Sequence, residues 1–285
     1  MPEGDTIFRT ARALGRALAG RPITAFFSTY PKLTRFNDGT PLAGRTVELV
    51  EARGKWLLIH FSGGATLVTH MLMSGSWHIY RHGEPWQQPR ANMRIVIENE
   101  EYVAVGFRVP VAEMHTAQSL ARSAKIPRPQ ADVLSAAFDA AAAVRRLLAH
   151  HDEAVGDALL RQEVMAGVGN VFKSEVCFVA GVHPFCRVAS LTPQQAQDLI
   201  AAARQLLAAN VLQDSGDTVV TYGGRRRRTT HASNPAASLW VYGRAGEPCR
   251  RCGEPIRRRL QGPDARVTFW CPRCQTLPDA AEVDG

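Results

Sequence analysis

A chain of 285 residues is long enough for two domains of ordinary size, and its 45% apolar content suits a folded protein rather than a disordered one. It has no uninterrupted apolar run of the about eighteen residues that a membrane span needs. Residues 1–20 mix Glu3 and Asp5 with arginines instead of forming an apolar block, which argues against a signal peptide and predicts a cytosolic protein.

The formal net charge is +8 and the isoelectric point is near 9.5. The excess is local: from Thr221 to Gln275, twelve arginines face only Glu247, Glu254 and Asp264, a surplus of nine. Such a segment is the footprint of a polyanionic partner, the alternative being a solvated arginine-rich face.

In chain order, the opening "MPEGDTIFRT" puts a small residue, Pro2, after the initiator methionine, so trimming would leave a free secondary amine followed by an acid, Glu3. Ile7, Phe8, Ala11, Leu14 and Leu18 recur at helical spacing and predict a helix from about Thr6 to Ala19. Short strand-like runs follow: "ITAFFSTY", "TVELVEAR", "KWLLIHF", "ATLVTHMLMSGSWHIY", "RIVIEN" and "YVAVGF". Their number and spacing predict an antiparallel sandwich or barrel.

From about Ala117 the composition changes. "AKIPRPQ" reads as a linker, and "VLSAAFDAAAAVRRLLAHH", "AVGDALLRQEVMA", "NVFKSEVCFVAG" and "TPQQAQDLIAAARQLLAANVLQ" read as helices, the last with Thr192 as N-cap and Pro193 as first helical residue. Gly167-Val168-Gly169-Asn170 lies between two helical runs, where a new helix exposes its first N–H groups. That arrangement suits phosphate, and equally a corner buried in a core.

Cys249, Cys252, Cys271 and Cys274 form C-x2-C-x18-C-x2-C, the spacing of one tetrahedral thiolate site for a single structural Zn2+. "RVTFW" between the pairs alternates like a strand, so a zinc-bound hairpin is expected. Cys177 and Cys186 lack such spacing and read as ordinary buried cysteines.

The segments "MPEGDT", "RGKWLLIHF", "HMLMSGSW", "MAGVGNVFKSEVCFVAGVHP", "VYGRAGEPCRRCG" and "ARVTFWCPRCQ" stand in the order they take in the formamidopyrimidine/endonuclease VIII family of DNA glycosylases, which the chain resembles over nearly its whole length. The likeness is weakest at 111–131 and 214–238. It implies an α+β protein. An N-terminal β-sandwich with its terminal helix spans 1–116, a linker 117–130, a helical domain with a helix-two-turn-helix motif 131–240, a zinc finger 241–276 and a tail 277–285. It further implies a monomeric enzyme of the bacterial cytosol or nucleoid. Such an enzyme excises damaged bases from double-stranded DNA between its lobes and cuts the strand by β,δ-elimination.

The chemistry explains the residue types. An amine that attacks C1′ expels the base and leaves an imine, which acidifies C2′ and permits elimination of the phosphates. An α-amino group, with a reference pKa of about 7.7–8.0, is unprotonated more readily than lysine at about 10.4. Proline gives an iminium that carries its charge without a proton, so Pro2 is the expected nucleophile. By resemblance, Glu3 is the proton donor and acceptor at the sugar, and Lys55 contacts the damaged site and its phosphate. Asn170 and Arg266 match the phosphate-holding residues, and Met73, with Leu72, supplies the apolar wedge that fills the gap left by a flipped nucleotide. Arg225 to Arg228 have no family counterpart, and the residues leave open whether they add affinity or lie in a solvated loop.

The formamidopyrimidine branch carries an Arg-Arg-Phe-Gly loop where this chain reads "AVGFRVPVAEM", and its lesion-capping loop is not matched by "SGDTVVTYGGRRRRTTHASN". Both departures favour the endonuclease VIII side, whose usual substrates are oxidised pyrimidines, although "HMLMSG" pulls toward the other branch. The competing readings are an oxidised-purine glycosylase and a non-catalytic, zinc-stabilised DNA-binding protein.

Overall fold

The computed structural model describes residues 2–212, 230 and 238–277; Met1, Arg225–Arg228 and residues 278–285 lie outside the described residues. The chain divides into two compact units between Ile126 and Pro127.

In the first unit, helix α1 (Gly4–Leu18) begins two residues earlier than its apolar spacing suggests, because the backbone carbonyl of Glu3 accepts from the N–H groups of Thr6 and Ile7. Ile7, Ala11, Leu14, Ala17 and Leu18 are buried along one stripe. Two antiparallel four-stranded sheets form the sandwich. One has the order β1 (Ala25–Ser28), β6 (Met93–Glu98), β7 (Tyr102–Phe107), β5 (Ser76–Arg81). The other has the order β2 (Val47–Arg53), β3 (Trp56–Phe61), β4 (Ala65–His70), β8 (Val111–Thr116). Leu57, Ile59 and Leu67 from one sheet and Ile79, Ile95 and Ile97 from the other share a core with the α1 stripe.

Three details differ from the sequence reading. "ATLVTHMLMSGSWHIY" is two strands in different sheets, separated by a turn at 71–75. Helix α2 (Pro31–Gly39) escaped because it buries only Leu33. Strand β8 escaped because Glu113 and His115 interrupt its apolar pattern.

The second unit holds α4 (Ala140–Ala149), α5 (Val155–Ala158), α6 (Asn170–Val179) and α7 (Pro193–Leu212), preceded in the first unit by the short α3 (Ala117–Ala121). Thr192 and Gln195 cap α7 reciprocally, the Gln195 N–H donating to Thr192 Oγ1 and the Thr192 N–H to Gln195 Oε1. "AVGDALLRQEVMA" is helical only over the four residues of α5. Gln162 ties the following turn together, donating to the carbonyls of Leu160 and Val168 and accepting from the Gly167 N–H. Strands β9 (Arg257–Gln261) and β10 (Arg266–Trp270) form an antiparallel hairpin.

Candidate functional site

The expected site residues fall into two groups, one in each unit. Pro2, Glu3, Lys55, Leu72 and Met73 belong to the first unit; Asn170, Arg266 and the four cysteines belong to the second.

Glu3 is the N-cap residue of α1 and is fully buried, while Pro2 precedes the helix and is half-buried. The direction of α1 can be read from its packing. Ala19 bridges Val47, at the start of β2, and Gly15 lies against Val50. The helix therefore runs antiparallel to β2. From Gly15 back to Gly4 the helix rises roughly 16 Å, whereas β2 from Val50 to Arg53 covers about 10 Å. The N-terminus of α1 thus points toward the end of the sheet where β2 turns into β3. That turn is the two residues Gly54 and Lys55, closed by the pair Arg53–Trp56. Lys55 is a hairpin-turn residue rather than the first residue of a strand, so its side chain is carried at the tip.

The same end of the sheet carries the apolar loop. Trp56 pairs with His70 across β3 and β4, and their rings meet edge to face at 4.8 Å. After His70 the chain turns sharply: Gly75 donates to the Met71 carbonyl at 2.8 Å, and a Cβ on Gly75 would lie 2.8 Å from that oxygen, so only glycine closes the turn. Met71 is buried, but Leu72 is 46% and Met73 68% exposed. Leu72 adopts φ 43°, a left-handed conformation that costs a branched residue about 1–2 kcal/mol. Its N–H donates to His70 Nδ1 at 3.1 Å, which holds the turn.

His70 was not singled out from the sequence; its only signal was its place at the head of the quoted segment "HMLMSGSW". Burial and, second, the charge of Lys55 lower its pKa to about 4. Nδ1 must be unprotonated to accept from Leu72, so the neutral ring carries its proton on Nε2. His183 in the second unit is likewise lowered to about 4, by burial and by Arg259. The folded values lie below the unfolded value of about 6.5, so between pH 6.5 and 4 the unfolded chain binds more protons. The stability both histidines contribute is complete above pH 6.5 and is lost as pH falls. Thermal unfolding of the chain from pH 7.5 to 4.5 should show a falling midpoint, with His70→Gln flattening the dependence by about one proton. An equally steep fall in that variant would refute the assignment.

In the second unit, α6 carries Asn170 in its first turn, with Gly169 as N-cap. Asn170 Nδ2 donates to the Val267 carbonyl of β10 at 2.8 Å, and its Oδ1 is buried with no hydrogen-bond partner among the described residues. Arg266, the first residue of β10, is 42% exposed in its side chain and lies 3.5 Å from Asp264. Within this unit the two expected phosphate contacts therefore share one assembly: the helix that begins with Asn170 holds the strand that begins with Arg266.

Two further residues of α6 complete that assembly. Glu175 is fully buried and accepts from the backbone N–H groups of Trp240, Val241 and Tyr242 at 2.8–2.9 Å, fixing the entry into the hairpin region. Ser174 Oγ accepts from the Phe269 N–H at 3.3 Å. The only sequence signal was "KSE" inside an otherwise apolar helix.

The four cysteine sulfurs lie within 4.8 Å of one another. Cys249 Sγ is 3.9 Å from Cys274 Sγ, and Cys252 Sγ is 3.5 Å from Cys271 Sγ and 3.4 Å from Cys274 Sγ. A disulfide needs about 2.05 Å; a tetrahedron of thiolates about 2.3 Å from zinc has edges of about 3.8 Å. Arg251 and Cys274 donate backbone N–H groups to Cys249 and Cys271 sulfurs at 3.4 Å. The Glu254 backbone pulls Cys252 down to about 7, while burial and neighbouring sulfurs push Cys274 upward. A divalent cation at the centre lets all four sulfurs be thiolates together. The donor set fits one structural zinc ion, and four thiolates leave it no open coordination position.

Comparison with known proteins agrees with this layout. Residues 1–109 match the formamidopyrimidine-DNA glycosylase N-terminal domain, residues 130–221 the H2TH domain of the same proteins, and residues 246–277 the zinc finger found in FPG and IleRS. A probable endonuclease 8 2 of Streptomyces coelicolor is 39% identical over 281 residues, covering 98% of this chain and 95% of that protein. The DNA-(apurinic or apyrimidinic site) lyase Nei2 of Mycolicibacterium smegmatis is 37% identical, with 97% and 99% covered. A Lactococcus lactis Fpg in complex with DNA containing an abasic site superposes with a TM-score of 0.77 at 21% identity, covering 96% of this chain and 99% of that one. The chain belongs to the formamidopyrimidine-DNA glycosylase/endonuclease VIII family, on its endonuclease VIII-like side.

Proposed function

We propose that this protein is a bifunctional DNA glycosylase and abasic-site lyase of base excision repair, acting as a monomer on damaged double-stranded DNA in the bacterial cytosol, with Pro2 as its nucleophile. The observation that carries the reading is the N-terminus of α1: a buried Glu3 directly after Pro2, at the end of the sandwich that presents Lys55 and the Leu72–Met73 loop.

The nitrogen lone pair of Pro2, freed by removal of Met1, attacks C1′ of the damaged nucleotide. The bond between C1′ and the base breaks, and its electrons leave with the base, which takes up a proton. The attacking nitrogen gives up its proton, and its lone pair then breaks the C1′–O4′ bond, with O4′ taking up a proton, so that the opened sugar carries the iminium. Loss of the C2′ proton from this iminium expels the 3′ phosphate, and a second elimination, with loss of the C4′ proton, expels the 5′ phosphate. The positive end of α1 disfavours a second positive charge beside it, which helps keep the Pro2 amine unprotonated. Glu3, next to the nucleophile in the chain, supplies and takes protons at the sugar. Lys55, on its hairpin tip, holds the phosphate beside the lesion. Met73 and Leu72, exposed on a turn pinned by His70, offer the wedge that replaces the extruded nucleotide. Asn170 and Arg266 grip the flanking phosphates.

The departures from the formamidopyrimidine branch support oxidised pyrimidines as substrates. Excision from duplex oligonucleotides tests both points together. Dihydrouracil should be removed faster than 8-oxoguanine; the reverse order would place the chain with the purine-specific enzymes. Glu3→Gln should lose base excision by at least about a hundredfold and scission of a ready-made abasic site by less. Equal losses would remove Glu3 from the base-expulsion step.

A further inference from the structure

A lysine with no exposed surface is costly to keep, because burying an ammonium far from water is tolerated only when partners compensate. Lys173, on α6, is such a residue, with 0% exposure. Its Nζ donates to Thr268 Oγ1 of β10 at 2.6 Å. An ammonium has only donors, so the hydroxyl must accept there and send its own proton elsewhere. It donates to Gln261 Oε1 of β9 at 2.7 Å, which in turn leaves Gln261 Nε2 to donate to the Pro184 carbonyl at 2.7 Å. Each hydrogen bond thus fixes the polarity of the next. The chain ties α6, both hairpin strands and the segment after α6 together.

The rest of the assembly is built around this relay. A Cβ on Gly156 of α5 would lie 2.5 Å from Gln261 Oε1, so the amide is seated directly on the α5 backbone. Burial raises the pKa of the nearby Asp157 carboxyl, and the charge of Lys173 opposes that rise. Hairpin register puts Arg266, Thr268 and Gln261 on the same face, with Arg266 opposite Gln261 and two residues before Thr268. A hydrophobic side chain of similar length at position 173 would pack at less cost, so fold stability alone does not account for the ammonium.

We propose that Lys173 is a positioning residue: through Thr268 and Gln261 it fixes the strand that carries Arg266, so that this guanidinium meets DNA phosphate with one aim. The proposal rests on the reading of Arg266 as a phosphate contact.

The test uses the full-length, zinc-loaded protein and a duplex carrying a tetrahydrofuran abasic-site analogue, with affinity measured across a salt series. Arg266→Ala should weaken binding about tenfold and reduce the salt slope by about 0.9. Lys173→Met should move both quantities in the same direction with zinc content unchanged, Lys173→Arg should restore most of the affinity, and the double variant should be no worse than Arg266→Ala. Should Lys173→Met lose its zinc, Thr268→Val breaks the same contact without altering the charge and carries the same expectation. A wild-type slope in both Lys173→Met and Thr268→Val, or losses that add in full to those of Arg266→Ala, would overturn the relay. An unchanged slope in Arg266→Ala itself would remove the phosphate contact and the proposal with it. That failure differs from failure of the relay, in which Arg266→Ala lowers the slope and Lys173→Met does not.

Discussion

Borohydride added to this protein bound to abasic-site DNA should trap a covalent adduct, and peptide mapping should place it on Pro2. Reduction converts the iminium to a stable tertiary amine, so the adduct records which nitrogen attacked C1′. A chain that retains Met1 presents an amide nitrogen at Pro2, whose lone pair is delocalised into the carbonyl, and should give no adduct there. Pro2→Gly keeps an α-amine but offers a primary one, whose imine must hold a proton to act as an electron sink; scission should fall by at least about a hundredfold. Wild-type trapping in either form would remove Pro2 from the mechanism, and an adduct mapped to Lys55 would reassign the nucleophile. The physical expectation comes from α1. A terminus preceding a helix whose stripe of Ile7, Ala11, Leu14 and Leu18 is buried is held by that packing rather than left to fray.

Removal of zinc should have the second largest effect. The hairpin core consists of Phe178, Val241, Ile256, Phe269 and the buried cysteines Cys249 and Cys271, with Trp240, Tyr242 and Val267 packed against them, a cluster too small to fold without a cross-link. Binding free energies for structural zinc in such peptides are about 10–16 kcal/mol, more than this cluster can replace. Cys252→Ser, or exhaustive chelation, should release the single zinc ion and abolish tight binding to duplex DNA, because Arg266 and the β10 carbonyl that meets Asn170 lose their frame. Metal analysis together with a binding titration checks this. Tight binding by the metal-free protein would mean that the hairpin holds itself together.

The local features of the site were legible in the sequence because they obey short-range rules. The helix behind Pro2 is a 3.6-residue stripe, the cysteine pairs carry their geometry in their spacing, and Arg266 lies on the alternating run between them. What was not legible depended on groups far apart in the chain. Glu175 reads as one acid in an apolar helix, and only the fold shows it gripping backbone 65 residues or more away. His70 reads as the end of a strand; its neutral ring, its contact with Leu72 and its exposure to the field of Lys55 need the β3–β4 register. The turn at 71–75 was hidden for a similar reason. Two strands of different sheets are separated by only five residues whose apolar side chains continue the strand pattern, and the division between buried Met71 and exposed Leu72 and Met73 is set by the turn.

By itself, then, the sequence determined the two-part organisation, the proline followed by an acid behind Met1, the metal-ligand set and the concentration of arginine near its end. Each of these is a matter of residue type and spacing over a few turns or strands. Only the tertiary structure decided that α1 runs its N-terminus toward the Lys55 turn, that a buried lysine can be satisfied by a hydroxyl 95 residues away, and that one helix holds the hairpin strand carrying Arg266. The reason is that burial, hydrogen-bond polarity and the field at a titrating group belong to the packed assembly, and no local pattern of residues specifies them.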